Sequence, residues 1–314
     1  MVRFIVRRIG LICITLLVVS VVIFVITELL PGDVAAMILG KEATPQSVER
    51  LREELGLNRP AYERYLSWIG DVLQGNLGNS YAMKLPITDI VGRRLRYSAI
   101  LAVFAFLIGV PLAVATGVWA GVYPNTKLDR LVSMTALVGI SVPEFVTGLL
   151  LMLLFASTFH LLPSSSIILP GVNPLTSPQI LIMPTLTIIA VLFAYIMRMT
   201  RANVIEVVRT DYVRTAILKG LPMRQVIVKH VLPNAMLPTI TVIASNFGWM
   251  LGGLIVVENV FAYPGIGQLL LRSIENRDIP LLEIVSLIIA GTYAISNLIA
   301  DLSYAALDPR VRLG

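Results

Sequence analysis

A chain of 314 residues that is 56% hydrophobic and 14% charged, with a mean hydropathy of +0.83, does not read as a soluble enzyme; soluble domains average about 45–50% apolar and about 25% charged residues. The formal charge of +6 does not point to nucleic acid, because no basic stripe is interleaved with exposed aromatics. A single cysteine, Cys13, rules out a disulfide framework and any multi-cysteine metal site.

The apolar surplus is gathered in blocks long enough to cross a bilayer, which needs about 20 residues of helix. The first predicted span runs from Ile9 to Leu30. Arg3, Arg7 and Arg8 precede it, as in a signal peptide, but Glu28, Pro31 and Asp33 follow with no small-residue cleavage pattern, so the expectation is an uncleaved span. In the segment 31–96, Thr44 and Pro45 open a helix with Val48, Leu51 and Leu55 on one face and Glu49, Arg50, Arg52, Glu53 and Glu54 on the other; Gly56 stops it. A second helix is predicted from Pro60 to Leu73, with Tyr62, Tyr65, Leu66, Trp68 and Ile69 available for packing. Gly75 and Gly78 form a turn, and a third element near Ile87–Leu95 leads into the second span, Ser98–Val122. Gly117 and Gly121 in that span allow a close helix approach.

The third span is expected over Leu131–Phe159, kinked at Pro143, with Glu144 inside it. An acid in lipid costs at least about 2.5–3.5 kcal/mol, so Glu144 either lines a cavity, where it meets an amino terminus or a cation, or pairs with a neighbouring span or a partner chain. His160 and the serine run Ser164–Ser166, between Pro163 and Pro170, follow as turn chemistry rather than a protease site. The fourth span is Gln179–Met197.

Between Arg198 and Asn234 the spacing predicts helix, glycine turn, helix. Asn203 and Glu206 suit a capping box, Ile205, Val208, Tyr212 and Ala216 recur at helical spacing, and Glu206–Arg209 and Asp211–Arg214 are i,i+3 pairs. Gly220 is expected at positive φ, Pro222 starts the second helix, and Pro233 and Pro238 end it and open the fifth span, Ala235–Val257. Two readings stand for this hairpin: an amphipathic anchor on anionic lipid, or a knob presented to a cytoplasmic partner. Asn246 in the fifth span and Asn297 in the sixth, Leu281–Ala300, read as helix-to-helix hydrogen bonds. Asp301 is expected to pair with Arg198 or Arg201. Glu258 either holds the loop Phe261–Gly267 or lines a gate, and Pro264, Gly265 and Gly267 suit a tight re-entrant turn.

Lysine and arginine set the sidedness. With both termini inside, Arg3, Arg7, Arg8, Lys127, Arg130, the basic residues of 198–229, Arg310 and Arg312 are all inside, and the short outer loops hold only Arg272 and Arg277. The segment 31–96 is then extracytoplasmic, either a docking surface or a folded cap. His160 and His230 fall on opposite sides and share no metal. The fold class expected is an all-α membrane protein with six spans, divided as 1–30, 31–96 and 97–314 with an inner loop at 198–234.

The run Tyr212-Val-Arg-Thr-Ala-Ile-Leu-Lys-Gly220, followed by Val231-Leu-Pro-Asn-Ala235, resembles the "EAA" motif of ATP-binding-cassette importer permeases. Ala216, Gly220, Leu232 and Pro233 fit the pattern. Thr215 stands where the motif starts with an acid, and the glutamate is absent, a departure that points to the peptide/nickel branch. Glu258–Gly267, Asn276–Pro280, Asp308-Pro309-Arg310 and Pro31-Gly32-Asp33 resemble other marks of that branch, so the likeness covers essentially the whole chain.

The resemblance implies a type I importer fold in a bacterial cytoplasmic membrane and one of two permease subunits, the second a homologous but different chain, for di- or oligopeptides, with nickel or another small solute as the alternative. It implies two ATP-binding subunits that carry ATP and Mg2+, an extracytoplasmic substrate-binding protein, and no cofactor, metal or nucleic acid on this chain. Thr210, Asp211, Tyr212, Thr215, Ala216, Lys219, Gly220 and Leu221 would form the coupling helix and its turn. Glu144, Asn246, Glu258, Phe261, Pro264 and Gly265 are the pathway or gate candidates. The chain has no Gly-x-x-x-x-Gly-Lys-Ser/Thr phosphate cradle and is not expected to be an enzyme. A stand-alone secondary transporter would need coupling-ion sites on broken helices, for which Glu144 beside Pro143 is the one candidate; a scaffold without transport would not need the glycine-hinged hairpin.

Overall fold

The computed structural model describes residues 2–29, 34–40, 43–168 and 172–307. The expected features at Pro31–Asp33, Pro170 and Asp308–Arg312, and the end of the first span at Leu30, lie outside the described residues. In chain order the helices are α1 (Val2–Glu28), α2 (Val34–Leu39), α3 (Pro45–Glu54), α4 (Ala61–Leu73), α5 (Ile87–Val122), α6 (Lys127–Ser141), α7 (Glu144–Leu151), α8 (Gln179–Val208), α9 (Asp211–Leu218), α10 (Met223–Val226), α11 (Leu232–Val260), α12 (Ile266–Glu275) and α13 (Ile279–Leu307). Wider π-helical turns follow α7 at Met152–Thr158 and α10 at Ile227–Val231. Among the described residues, five helical stretches are long and apolar enough to cross a membrane, and six if the bent pair α6–α7 is one span.

Several boundaries differ from the sequence expectation. The element at Ile87–Leu95 is not separate but the start of α5. The third span is not kinked but broken: Val142 is extended, Pro143 caps α7, and the two pieces meet at 112°. Pro233 and Pro238 do not end a helix, because Met223–Val260 is one stretch. Proline removes an N–H and pushes on the preceding turn; the π-helical turn just before Pro233 widens the backbone there and accommodates both effects.

The chain divides into two compact units. One comprises Val2–Arg96 and Gly265–Thr292. Here α3 begins as expected at Thr44, whose hydroxyl accepts from the Ser47 amide at 3.2 Å while Ser47 Oγ accepts from the Thr44 amide at 2.9 Å. Gly56, Gly75 and Gly78 all take positive φ. The amphipathic α4 lies on α1, where Phe24, Tyr65 and Trp68 form an aromatic cluster with centroids 5.4–6.3 Å apart, and Tyr65 Oη meets Ser20 Oγ at 2.9 Å. Ile87, Ile90 and Val91 pack with Leu269 of α12 and Leu281, Ile284 and Val285 of α13. The segment after the first span is therefore a folded part of this unit, packed on α1, α12 and α13.

The other unit comprises Tyr97–Pro264 and Tyr293–Gly314. Its axis is α8, whose buried residues include Met183, Leu192, Ile196 and Met197. Helix α5 lies against α8 along a seam of glycines. A Cβ on Gly117 would stand 2.7 Å from Thr200 Cβ and 2.8 Å from the Met197 carbonyl, and one on Gly121 would stand 2.6 Å from Val204 Cβ. The absence of these side chains is what lets the two backbones meet.

Candidate functional site

The hairpin between α8 and α11 is built locally. Helix α8 runs unbroken past Asn203, so the expected capping box at Asn203 and Glu206 does not exist; Asn203 instead donates from Nδ2 to Thr239 Oγ1 at 3.2 Å. The helix stops at Arg209, and Thr210, with extended backbone, turns the chain into α9. Thr210 does not cap α9 with its hydroxyl, which donates back to the Val207 carbonyl at 2.6 Å. Neither predicted i,i+3 pair closes to an ion pair among the described residues.

At its other end α9 finishes in a Schellman turn. The Gly220 amide donates to the Ile217 carbonyl at 2.9 Å and the Leu221 amide to the Ala216 carbonyl at 3.4 Å, and Leu221 packs on the cluster that contains Ala216. This is the hydrogen-bond pair and apolar contact of that motif. Gly220 has φ +76°, as expected, and a Cβ there would meet nothing within 4 Å. Conformation, not space, requires the glycine.

The two faces of α9 have different environments. Val213 and Ala216 are buried with Val204, Val226, Val231 and Ala235. Leu218 is 79% exposed, Tyr212 44% and Ile217 42%. Asp211, Thr215 and Lys219 are also exposed. Sequence spacing does not single out Ile217 and Leu218, because Tyr212, Ile217 and Leu218 share no helical face: Tyr212 and Ile217 flank the buried side and Leu218 lies opposite it.

The stem of the hairpin is tied down by an ion pair that the sequence reading misassigned. Arg201 meets Asp129, not Asp301: Nε reaches Oδ1 at 2.6 Å and Nη2 reaches Oδ2 at 2.9 Å. Asp129 suits the role because it sits in the first turn of α6, where Thr126 caps the helix and the Asn125 amide also donates to it at 2.8 Å. Asp301 has its own interaction elsewhere.

Of the pathway candidates, Glu144 is the first residue of α7, half-buried beside Ile188 and Leu192 of α8 and Trp249, Met250 and Gly253 of α11. Gly253 makes room for it: a Cβ there would stand 2.6 Å from Glu144 Oε2. Among the described residues no base pairs with Glu144, so pairing with a neighbouring span of this chain is not realised. Asn246 bonds its own helix, Nδ2 to the Val242 carbonyl at 2.8 Å, not another one. Asn297 does face a second helix, with Oδ1 2.9 Å from where a Gly248 Cβ would lie.

Glu258 is fully buried and accepts a hydrogen bond from Ser98 Oγ. Its carbonyl accepts from the Tyr263 amide at 2.8 Å, the Phe261 carbonyl accepts from the Ser166 amide at 2.8 Å, and Tyr263 Oη donates to the Tyr97 carbonyl at 2.8 Å. Burial, then the nearby Glu258 and Tyr97, push the Tyr263 phenol up. The Glu258 side chain therefore ties α11 to α5, while its backbone carbonyl holds the start of the loop. The left-handed residue of that turn is Ala262, at φ +52°, and not a glycine. Gly265 is extended and precedes α12, an amphipathic helix the sequence reading did not anticipate. Pro264 is half-buried and Gly265 buried. The structure thus clusters Glu258 and Phe261 on one loop and leaves Glu144 and Asn246 apart from it. Among the described residues, no group of three His, Cys, Asp or Glu side chains could hold a metal ion.

Among the described residues the regular elements are helices, and five or six stretches of them are long and apolar enough to cross a membrane, one of these bent, which defines a polytopic helical membrane protein. Residues 113–313 match the family described as "Binding-protein-dependent transport system inner membrane component", and residues 1–102 match the N-terminal family of the same membrane components. The chain belongs to this family of ATP-binding-cassette importer permeases.

It is 38% identical over 311 residues to a probable peptide ABC transporter permease of Sinorhizobium fredii, covering 98% of this chain and 99% of that one. It is 37% identical over 312 residues to the glutathione transport system permease GsiC of Escherichia coli K12, covering 99% of both. A crystal structure of an amino acid ABC transporter superposes with a TM-score of 0.54 at 15% identity, over 70% of this chain and 94% of that one, and so shares the fold.

Proposed function

We propose that this chain forms half of the translocation pathway of a bacterial ATP-driven importer of short peptides, in the cytoplasmic membrane with both termini inside. A second, homologous permease completes the pathway, two ATP-binding subunits hold ATP and Mg2+, and an extracytoplasmic binding protein delivers the cargo. The peptide assignment is supported by full-length relatives named for peptide and for glutathione, itself a small peptide.

The observation that carries the reading is the divided surface of α9. Its buried face, Val213 and Ala216, fixes it to the permease, while Leu218, Tyr212 and Ile217 expose apolar area that a monomeric soluble surface would avoid. An ATP-binding subunit with a groove for a short helix would cover that area, and closure of the ATP-binding pair would then move α9 and its stem as a rigid lever. Thr210, Asp211, Thr215, Lys219, Gly220 and Leu221 set the angle of the lever rather than react. Glu144, half-buried and with no base beside it among the described residues, is the group in the spans best placed to meet cargo, with Asn246 two turns before Gly253 on α11; Glu258, Phe261, Pro264 and Gly265 brace the loop that ends α11.

Uptake of labelled di- and oligopeptides, and of nickel, into cells lacking this chain tests the reading. Peptide uptake should vanish and return with the wild-type gene. Unchanged peptide uptake with loss of nickel uptake would reassign the cargo, and loss of neither would overturn the import reading.

A further inference from the structure

Helix α4 presents a different chemistry on each of its sides. Successive residues are about 100° apart, which brings Tyr65, Trp68 and Val72 together on the packed side. Tyr65 and Trp68 lie on Phe24 of α1, and Trp68 and Val72 lie on the cluster of Ile87, Leu269 and Leu281. A second side carries Glu63, Ser67 and Asp71, all exposed; Ser67 and Asp71 line a cleft of about 710 Å3 within the Val2–Arg96 and Gly265–Thr292 unit. The remaining side is apolar and bare. Tyr62, Leu66, Ile69 and Leu73 fall within about 60° of one another and extend over about 16 Å of helix. Tyr62 is 65% exposed, Leu66 62% and Leu73 81%.

The level of this stripe follows from what α4 rests on. Residues Ile5–Glu28 of α1 are long and apolar enough to cross a membrane. Arg64 pairs with Glu28 at the end of that stretch. Phe24, under Tyr65 and Trp68, is about 6 Å further in along α1, and the Tyr65 hydroxyl meets Ser20 Oγ, a turn deeper still, at 2.9 Å. From Trp68 onward α4 passes to the Ile87 cluster, so it crosses the end of α1 rather than following it. At the same level Val22, Val25 and Ile26 of α1 are exposed. The medium beside α4 is therefore the one that surrounds a membrane span, and acyl chains reach that depth where a soluble protein does not.

An apolar stripe beside a polar edge is the pattern of a helix lying in the plane of a bilayer, its apolar side about 5–10 Å into the boundary between headgroups and acyl chains. Tyr62 suits that boundary, because its ring is apolar while its hydroxyl turns back to donate to Glu63 Oε1 at 3.2 Å. The polar edge is acidic, so apolar area, not attraction to anionic lipid, supplies the contact.

We propose that α4 is an interfacial helix whose stripe of Tyr62, Leu66, Ile69 and Leu73 is covered by lipid of the leaflet at the Glu28 end of α1, while Glu63, Ser67 and Asp71 stay in water. The assignment holds for either orientation of the chain and so stands apart from the import reading above.

The test is spin-label accessibility in the complete transporter, reconstituted in phosphatidylcholine nanodiscs without its binding protein. On a Cys13→Ser background, Leu66→Cys and Leu73→Cys each place a nitroxide on the stripe and Ser67→Cys places one on the polar edge, all at exposed positions. Oxygen, which concentrates among acyl chains, should relax the two stripe labels more strongly than a chromium oxalate complex confined to water, and the Ser67 label should show the reverse order. A label at either stripe position that favours the chromium complex would overturn the proposal, because the stripe then faces water and is free for a soluble partner. Stripe labels shielded from both reagents would overturn it in favour of a second subunit covering α4. Labels at all three positions with the same preference would also overturn it, since α4 then has no lipid side and water side.

Discussion

Arg201 grips Asp129 with two parallel hydrogen bonds, at 2.6 and 2.9 Å, and so fastens the last turns of α8 to the first turn of α6. Asp129 is 2% exposed as a residue, and the Arg201 side chain is 29% exposed. The pair therefore lies between a solvated surface bridge and a dry one, and its removal should cost about 1–3 kcal/mol. Asp129→Asn should lower the thermal midpoint of the detergent-purified transporter measurably, and Arg201→Lys should lower it too, because an ammonium cannot reproduce the two-pronged contact. Equal midpoints for all three proteins would show that the pair contributes nothing.

Glycines in this chain should differ sharply in their tolerance of alanine. Gly117→Ala drives a methyl into the Met197 carbonyl and Thr200 Cβ, and Gly121→Ala drives one into Val204; forced overpacking of this kind costs about 1–3 kcal/mol. Gly252→Ala meets nothing within 4 Å and should gain up to about 1 kcal/mol from helix propensity. Yields of folded protein after detergent extraction, ranked by size-exclusion profile, test the order: Gly252→Ala at or above wild type, Gly117→Ala and Gly121→Ala well below.

Ala262→Gly should stabilise the loop after α11. A left-handed alanine costs about 1–2 kcal/mol, and the entropy that glycine adds to the unfolded chain returns about 0.4–1 kcal/mol of it. A net gain of about 0.5–1 kcal/mol is expected, visible as slower proteolysis at that loop; faster proteolysis would mean that the methyl packs better than its φ of +52° suggests.

The carboxylate of Asp278, 1% exposed, accepts from Ser80 Oγ, from the amides of Tyr81 and Ala82 at 3.1 Å each and from Leu281 at 3.4 Å. Asp278→Asn turns an NH2 toward donors and should cost about 2–3 kcal/mol. The loop 76–86 should then exchange its amide hydrogens faster than in wild type, while α9 exchanges unchanged. Equal exchange in the loop would dismiss the carboxylate as its anchor.

Much of the fold was legible because bilayer crossing and close helix approach leave plain sequence marks: apolar blocks of sufficient length, Gly117 and Gly121 one turn apart, Thr44 ahead of Pro45. Gly220 was legible as a left-handed stop because helix, glycine and proline follow in order. What escaped had local signals with two meanings. Pro143 disrupts a helix without saying by how much, and the 112° between α6 and α7 appears only in the structure, where Gly139 lies against Ala190 and Gly148 against Val260 and Phe261. Asn203 looks like a cap, yet its amide serves Thr239, 36 positions away. Pro233 looks like a start, but a π-helical turn absorbs it. The partner of Arg201 was not legible at all, since Asp129 and Asp301 are equally acidic and only tertiary contact chooses between them.

The proposed grip of an ATP-binding subunit on α9 is tested most directly by cross-linking. With Cys13→Ser as background, Leu218→Cys puts one thiol on the most exposed apolar position of α9. In membranes carrying the whole transporter, a maleimide with a photoreactive benzophenone arm, which inserts into C–H bonds and needs no second thiol, should join this chain to the ATP-binding subunit, and a membrane-impermeant maleimide added to intact cells should leave the thiol unlabelled. Labelling from outside, or a thiol that never joins the ATP-binding subunit in an assembled, ATP-hydrolysing transporter, would contradict the account.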